Sequence, residues 1–86
     1  MELFRINSHQ IYDHNMQGFK MTFANGYTVS VQFGSSNYCD KDQSTAEVGA
    51  WNEVTGEWVK LSEHDDVKGY CSPEEVLEIM NQIANK

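Results

Sequence analysis

The feature that most constrains this chain is the strict alternation of apolar and polar residues on both sides of Asn25-Gly26. Apolar side chains occupy every second position in residues 19–23 and again in residues 27–33. Alternation with a period of two is typical of strands with one buried face, and Asn-Gly is a strong turn signal. The pattern therefore predicts an antiparallel β-hairpin.

The length of the turn decides which face of this hairpin is apolar. A two-residue loop would place the apolar sets of the two strands on opposite faces of the sheet. A three-residue loop over residues 24–26, with Gly26 in a left-handed conformation, keeps both sets on one face. We therefore predict the three-residue form. Its cross-strand pairs are Phe23 with Tyr27, Met21 with Val29, and Phe19 with Val31.

A second hairpin is predicted between residues 46–51 and residues 57–61. A four-residue loop from Glu53 to Gly56 places the apolar residues of both strands on one face. The same register brings Trp51 opposite Trp58 on the other face. The sequence therefore predicts a tryptophan pair that points away from the core.

Residues 72–83 carry the signals of one amphipathic helix. Ser72 is a suitable N-cap, Pro73 fits the first helical position, and Glu75 completes a capping box. The predicted apolar stripe consists of Val76, Leu77, Met80 and Ile83. We expect the helix to lie across the apolar face of the two hairpins. That face is expected to contain Phe19, Met21, Phe23, Val29, Val31, Val48 and Leu61.

Together these elements define an α+β fold, with an antiparallel sheet of about four strands in two hairpins packed on one C-terminal helix, in the order ββββα. A chain of 86 residues supports one hydrophobic core and not two. Because no internal repeat or linker divides the sequence, residues 1–86 are predicted to form a single domain.

The charge balance disfavours two classes of partner. Thirteen Asp and Glu residues outnumber six Lys and Arg residues, which gives a net charge of −7. Direct binding of nucleic acid or of an anionic membrane surface needs a basic patch that this composition does not supply. No apolar run approaches the length of about 20 residues that spans a bilayer, and the first residues do not resemble a signal peptide. A cytoplasmic location is the resulting expectation.

The residues that could carry chemistry are not arranged in a known pattern. His9, His14 and His64 lack the spacing of metal ligands, and Cys39 and Cys71 are far apart and outside any CxxC motif. We expect reduced thiols, although the sequence leaves open whether the two cysteines lie close together. We therefore predict no catalytic residues, no metal site, no cofactor and no enzymatic activity. A small metal-binding protein remains the third functional alternative.

The favoured hypothesis is a non-enzymatic module that binds a protein partner. Its candidate contact surface is Trp51 and Trp58, with Tyr38 from the polar connection over residues 34–45, because paired aromatic side chains suit an interface anchor. Alternatively, the N-terminal segment folds under the sheet and covers the tryptophans. The tryptophan face or an open sheet edge is also compatible with a homodimer.

The second hypothesis is an acidic mimic of nucleic acid that inhibits a DNA- or RNA-binding protein. Residues 63–66 and the glutamates of the first helical turn concentrate negative charge in one region. Acidic residues elsewhere are scattered singly, which favours ordinary solvated faces. Mimicry therefore ranks below the interaction module.

The hairpin segment also carries a family resemblance. Residues 23–34, with the sequence FANGYTVSVQFG, followed by Asn37-Tyr38-Cys39, resemble small uncharacterised proteins of tailed bacteriophages, including marine phages. Later segments, among them residues 66–70 and the start of the helix, extend the likeness to about residues 18–84. The resemblance implies no activity or cofactor, but it implies an accessory protein in the cytoplasm of an infected bacterium.

Overall fold

The computed structural model describes residues 3–11, 14–34, 37–40, 44–63 and 65–86, and the side chains of residues 5–11 and 14–16 lie outside that description. Within these ranges the chain forms one antiparallel sheet, in which the strands follow each other in sequence order, and one helix. The elements are β1 (Phe4–Ile11), β2 (His14–Thr22), β3 (Tyr27–Gln32), β4 (Ala46–Asn52), β5 (Val67–Cys71) and α1 (Pro73–Ala84). The predicted α+β class, with an antiparallel sheet and one C-terminal helix, is confirmed.

The first predicted hairpin forms in the predicted register. Phe19 faces Val31 across β2 and β3, and Met21 faces Val29. The Phe23 backbone N–H donates to the Tyr27 carbonyl at 2.8 Å, which closes the three-residue loop. The alternation in the sequence therefore places the apolar side chains of residues 19–23 and 27–33 on one face.

The second hairpin is shorter than predicted. Trp51 and Trp58 form an isolated β-bridge, and the Val59 N–H donates to the Ala50 carbonyl at 2.8 Å. Residues 59–61 form no strand, because β5 occupies the remaining edge of β4 and pairs Val67 with Gly49. An edge strand offers one row of backbone groups, so only one segment can pair with it at each position.

The N-terminal segment forms the other edge of the sheet. Along its whole length β1 pairs with β2, from Phe4 opposite Met21 to Ile11 opposite His14. In the strand order two strands, β2 and β3, separate β1 from β4, which carries Trp51. Residues 4–11 therefore extend the sheet and do not form a layer beneath the tryptophans.

The helix begins as the sequence predicts. The Ser72 side chain accepts from the Glu75 N–H at 3.2 Å, and the Ser72 N–H donates to the Glu75 carboxylate at 3.0 Å. These hydrogen bonds, together with an ion pair to Lys68 at 3.2 Å, lower the pKa of the Glu75 carboxyl from its ordinary value. The capping box is therefore confirmed and holds the helix start beside the end of β5.

The face that the helix buries differs in one position from the predicted stripe. Ile79 and Ile83 are buried, and Val76 and Met80 pack against them. Leu77 is 59% exposed, so its predicted burial is wrong. On a helical wheel Ile79 lies about 60° from Val76 and Leu77 about 100°, which explains why the helix turns Ile79 to the sheet.

The core lies between the helix and the apolar face of β3 and β4. Its buried members in the described part of the chain are Val29, Val31, Ala46, Val48, Ala50, Cys71, Ile79 and Ile83. The predicted docking of the helix on the hairpins is confirmed by this cluster. No helix among the described residues has the length and apolar character needed to cross a membrane.

Candidate interaction surface

The sheet face opposite the helix is polar at its centre. Thr28, Ser30 and Gln32 alternate with the core valines of β3, and all three side chains are buried. The Thr22 and Thr28 hydroxyls lie 2.8 Å apart, and the Gln32 amide nitrogen donates to the Ser30 hydroxyl at 2.9 Å. Across the described ranges no helix or strand packs on this face.

The tryptophan pair forms one end of this face. The ring centroids of Trp51 and Trp58 are 4.8 Å apart, with the ring planes tilted by 46°. Trp51 lies opposite Thr28 across β3 and β4, on the polar face. Trp58 remains 50% exposed. The predicted meeting of the two indoles on the side away from the helix is confirmed.

Hydrogen bonds fix the orientation of Trp51. Its indole N–H donates to the Glu53 carboxylate at 3.2 Å, and the same carboxylate oxygen accepts from the Thr28 hydroxyl at 2.8 Å. On the β2 side, the Lys20 ammonium lies 5.8 Å from the centre of the Trp51 ring, within the range of a cation–π contact. Trp51 is therefore the fixed member of the pair and supports the more exposed Trp58.

A glycine makes room for the second indole. A Cβ atom on Gly49 would lie 2.9 Å from Cζ3 of Trp58 and 3.3 Å from Cγ1 of Val67. The Trp58 ring thus packs directly on the backbone of β4, with Val67 of β5 beside it. Glycine inside a strand often marks such a close approach, and this was a signal in the sequence for the position of Trp58.

Replacement of Gly49 by alanine is expected to displace the Trp58 ring and loosen the tryptophan pair. The added methyl group would meet the far end of a side chain that can rotate, so we expect a small loss of stability and a large change in tryptophan environment. Near-ultraviolet circular dichroism measures that change. The Gly26→Ala variant is the control, because a Cβ at Gly26 has no neighbour within 4 Å. An unaltered tryptophan signal in the Gly49→Ala variant would contradict the packing described here.

Tyr38 joins the same face from the long connection. Its carbonyl accepts from the Tyr70 N–H at 2.9 Å, which ties the connection to β5. A Cβ on Gly69 would lie only 2.8 Å from the Cβ of Tyr38, so the tyrosine packs against the bare backbone of β5. Val67 and Gly69 are two positions apart in β5 and therefore lie on the same face of the strand, and Val67 also lies near Trp58. The structure therefore places Trp51, Trp58 and Tyr38 on one face, with Val67 between them.

Cys39 and Cys71 are both buried. The Cys39 thiol donates to the Gly34 carbonyl at 3.4 Å, and the Cys71 thiol donates to the Lys68 carbonyl at 3.5 Å. Burial raises the pKa of the Cys71 thiol, and the nearby Lys68 ammonium opposes this rise only in part. A protonated, buried thiol is a poor nucleophile.

The metal hypothesis depends on His9, His14 and His64. Among the described residues no group of three or more His, Cys, Asp or Glu side chains could hold a metal ion. His64 and the side chains of His9 and His14 lie outside those residues. Metal binding through these histidines stays a prediction.

Two cavities flank the helix. One, of about 310 Å³, is mainly apolar, and its lining includes Phe19, Phe33, Leu77 and Met80. The other, of about 610 Å³, mixes Lys60, Lys68 and Lys86 with glutamates of the helix. The first is a second apolar surface that competes with the tryptophan face as a contact region.

The chain was compared with models of protein families, with curated proteins and with solved structures, and none of them matches it.

Proposed function

We propose that this chain is a non-enzymatic protein-interaction module whose contact surface contains Trp51, Trp58 and Tyr38. The observation that carries the proposal is the half-exposed Trp58, held between the Trp51 ring and the backbone of Gly49. A large aromatic side chain held in one orientation loses little conformational entropy on binding, and tryptophan is enriched among the residues that dominate interface energies. Covering its exposed half contributes about 2 to 3 kcal/mol.

The proposed setting follows from the phage resemblance of residues 23–34 and 37–39. An accessory protein made in an infected bacterium meets proteins of the phage and of the host in the host cytoplasm. We therefore propose a phage or host protein as the partner. A second copy of the chain is an alternative partner, and it could bind either through the tryptophan face or through the outer edge of β1.

To test the proposal, a partner is first captured from bacterial lysate, identified and purified. Its affinity for the unaltered chain and for variants is then measured by calorimetric titration. We expect Trp58→Ser to weaken binding by about 30-fold, because the variant removes the anchor but little of the core. Leu77→Ser is the matched control, since Leu77 is similarly exposed, 59% against 50% for Trp58, but lies on the helix beside the apolar cavity. Binding that depends on Leu77 and tolerates Trp58→Ser would refute the tryptophan surface.

The acidic mimic is the second candidate, supported by the exposure of Glu63, Asp65 and Asp66 in the turn before β5. A mimic binds through its carboxylates, so its affinity falls steeply with salt and does not depend on Trp58. The same titration at low and high ionic strength therefore separates the two candidates. Steep salt dependence combined with a neutral Trp58→Ser variant would favour the mimic.

A further inference from the structure

A cavity of about 340 Å³ opens on the polar sheet face beyond Val67. We call it the tyrosine pocket, and its lining residues are Tyr38, Asp65, Val67, Gly69 and Tyr70. The two tyrosines come from distant parts of the chain and are 65% and 58% exposed, respectively. Two accessible tyrosines and one aspartate thus line the same pocket.

Backbone contacts hold the two tyrosines together. The hydrogen bond from the Tyr70 N–H to the Tyr38 carbonyl joins the connection to β5, and Gly69 lets Tyr38 approach closely. Tyr70 has a φ of 54°, a left-handed conformation that aromatic residues adopt only at an energetic cost. This conformation interrupts the regular alternation of β5 and decides where the Tyr70 side chain projects.

A turn fixes the backbone of Asp65, which lines the pocket. The Asp65 N–H donates to the Ser62 hydroxyl at 3.0 Å, and the Ser62 N–H donates to the Asp65 carbonyl at 3.2 Å. Both hydrogen bonds use the backbone of Asp65 and leave its side chain exposed. The neighbouring Asp66 is also exposed but does not line the pocket.

We propose that the tyrosine pocket binds a cationic side chain, lysine or arginine, of the protein partner. The faces of aromatic rings attract cations, and a carboxylate adds an opposite charge to the same space. Val67 and Gly69 form an apolar floor for the aliphatic part of such a side chain. The net charge of −7 also favours a basic partner segment. The inference rests on the proposed interaction module, because Tyr38 belongs to both surfaces.

The pocket is tested without the partner, by nuclear magnetic resonance titration with the capped tripeptide N-acetyl-Gly-Lys-Gly-amide. We expect the ring signals of Tyr38 and Tyr70 to shift, and the matched peptide with norleucine in place of lysine to bind about fivefold more weakly or worse. Norleucine keeps all four side-chain carbons of lysine and lacks only the charged ammonium group. Equal shifts with both peptides would show an apolar contact only and would overturn the proposal.

Variants separate a defined site from general attraction. Asp65→Asn is expected to weaken binding of the lysine peptide about fivefold, whereas Asp66→Asn, with the same change in net charge, should leave it within about twofold. Tyr38→Phe should retain binding because it keeps the ring, and Tyr38→Leu should lose it. Equal effects of Asp65→Asn and Asp66→Asn would overturn the proposal.

The outcome also distinguishes this pocket from the interaction module as a whole. If the lysine peptide does not bind but the purified partner still binds in a Trp58-dependent way, the proposed cation site in the tyrosine pocket is refuted and the interaction module stands. Specific binding of the peptide, with no Trp58-dependent partner, supports the pocket and removes the tryptophan surface.

Discussion

Replacing Gly18 with alanine is expected to lower the free energy of unfolding by about 3 kcal/mol or more. Gly18 lies in the middle of β2 and pairs with Asn7 on one side and Gln32 on the other. A Cβ at this position would lie 2.1 Å from the Val31 carbonyl oxygen and 2.7 Å from Oε1 of Gln32. The first of these atoms belongs to the backbone of the strand that carries the core valines, so it cannot move without disturbing the core.

Urea denaturation of Gly18→Ala beside Gly26→Ala measures this effect. Gly26 has a φ of 88° and open space around its Cβ position, so the control reports the conformational strain of alanine without a collision. The control is expected to lose about 1 to 2 kcal/mol. Equal losses in the two variants would mean that β2 and β3 do not approach as closely at Gly18 as the structure shows.

Truncation of Ile83 to alanine is expected to cost about 3 kcal/mol, because the side chain is only 2% exposed and fills the space between the helix and the sheet. The helix end is also held by the Asn25 side chain, which donates to the Ile83 carbonyl at 2.8 Å. That backbone contact resists collapse of the helix into the space left by the missing side chain. The residual cavity therefore adds to the loss of burial.

Leu77→Ala is the matched variant for this measurement. Leucine and isoleucine each lose three carbon atoms on truncation to alanine, but Leu77 is exposed, so we expect a loss below about 1 kcal/mol. Thermal unfolding of both variants compares the two positions directly. A larger loss at Leu77 than at Ile83 would mean that the helix packs through the stripe first predicted from the sequence.

The first hairpin and the helix start could be predicted because their determinants are local. The period-two pattern around Asn25-Gly26 admits one register that keeps the apolar residues on one face, and the structure has that register. The capping box of Ser72 and Glu75 likewise needs only four consecutive residues. The pairing of Trp51 with Trp58 followed from the same argument, that the loop length must keep the apolar residues of both strands on one face.

The helix face and the second hairpin were predicted only in part. Helical geometry already places Ile79 nearer than Leu77 to the stripe of Val76, Met80 and Ile83, so the burial of Ile79 could have been found in the sequence. The early end of the second hairpin could not have been predicted from the sequence. It depends on β5, distant in sequence, taking the free edge of β4.

For the candidate surface, the sequence by itself determined the alternation that sends Trp51 and Trp58 away from the core. Only the tertiary structure decided that Tyr38 and Tyr70 meet beside Asp65, and that Val67 links them to the tryptophans. The physical reason is the range of the interactions. The alternation of side chains along a strand and the capping of a helix act between residues close in the chain. The tyrosine pocket, in contrast, exists because β5 packs at the sheet edge, where its backbone contacts the connection over residues 34–45 that carries Tyr38.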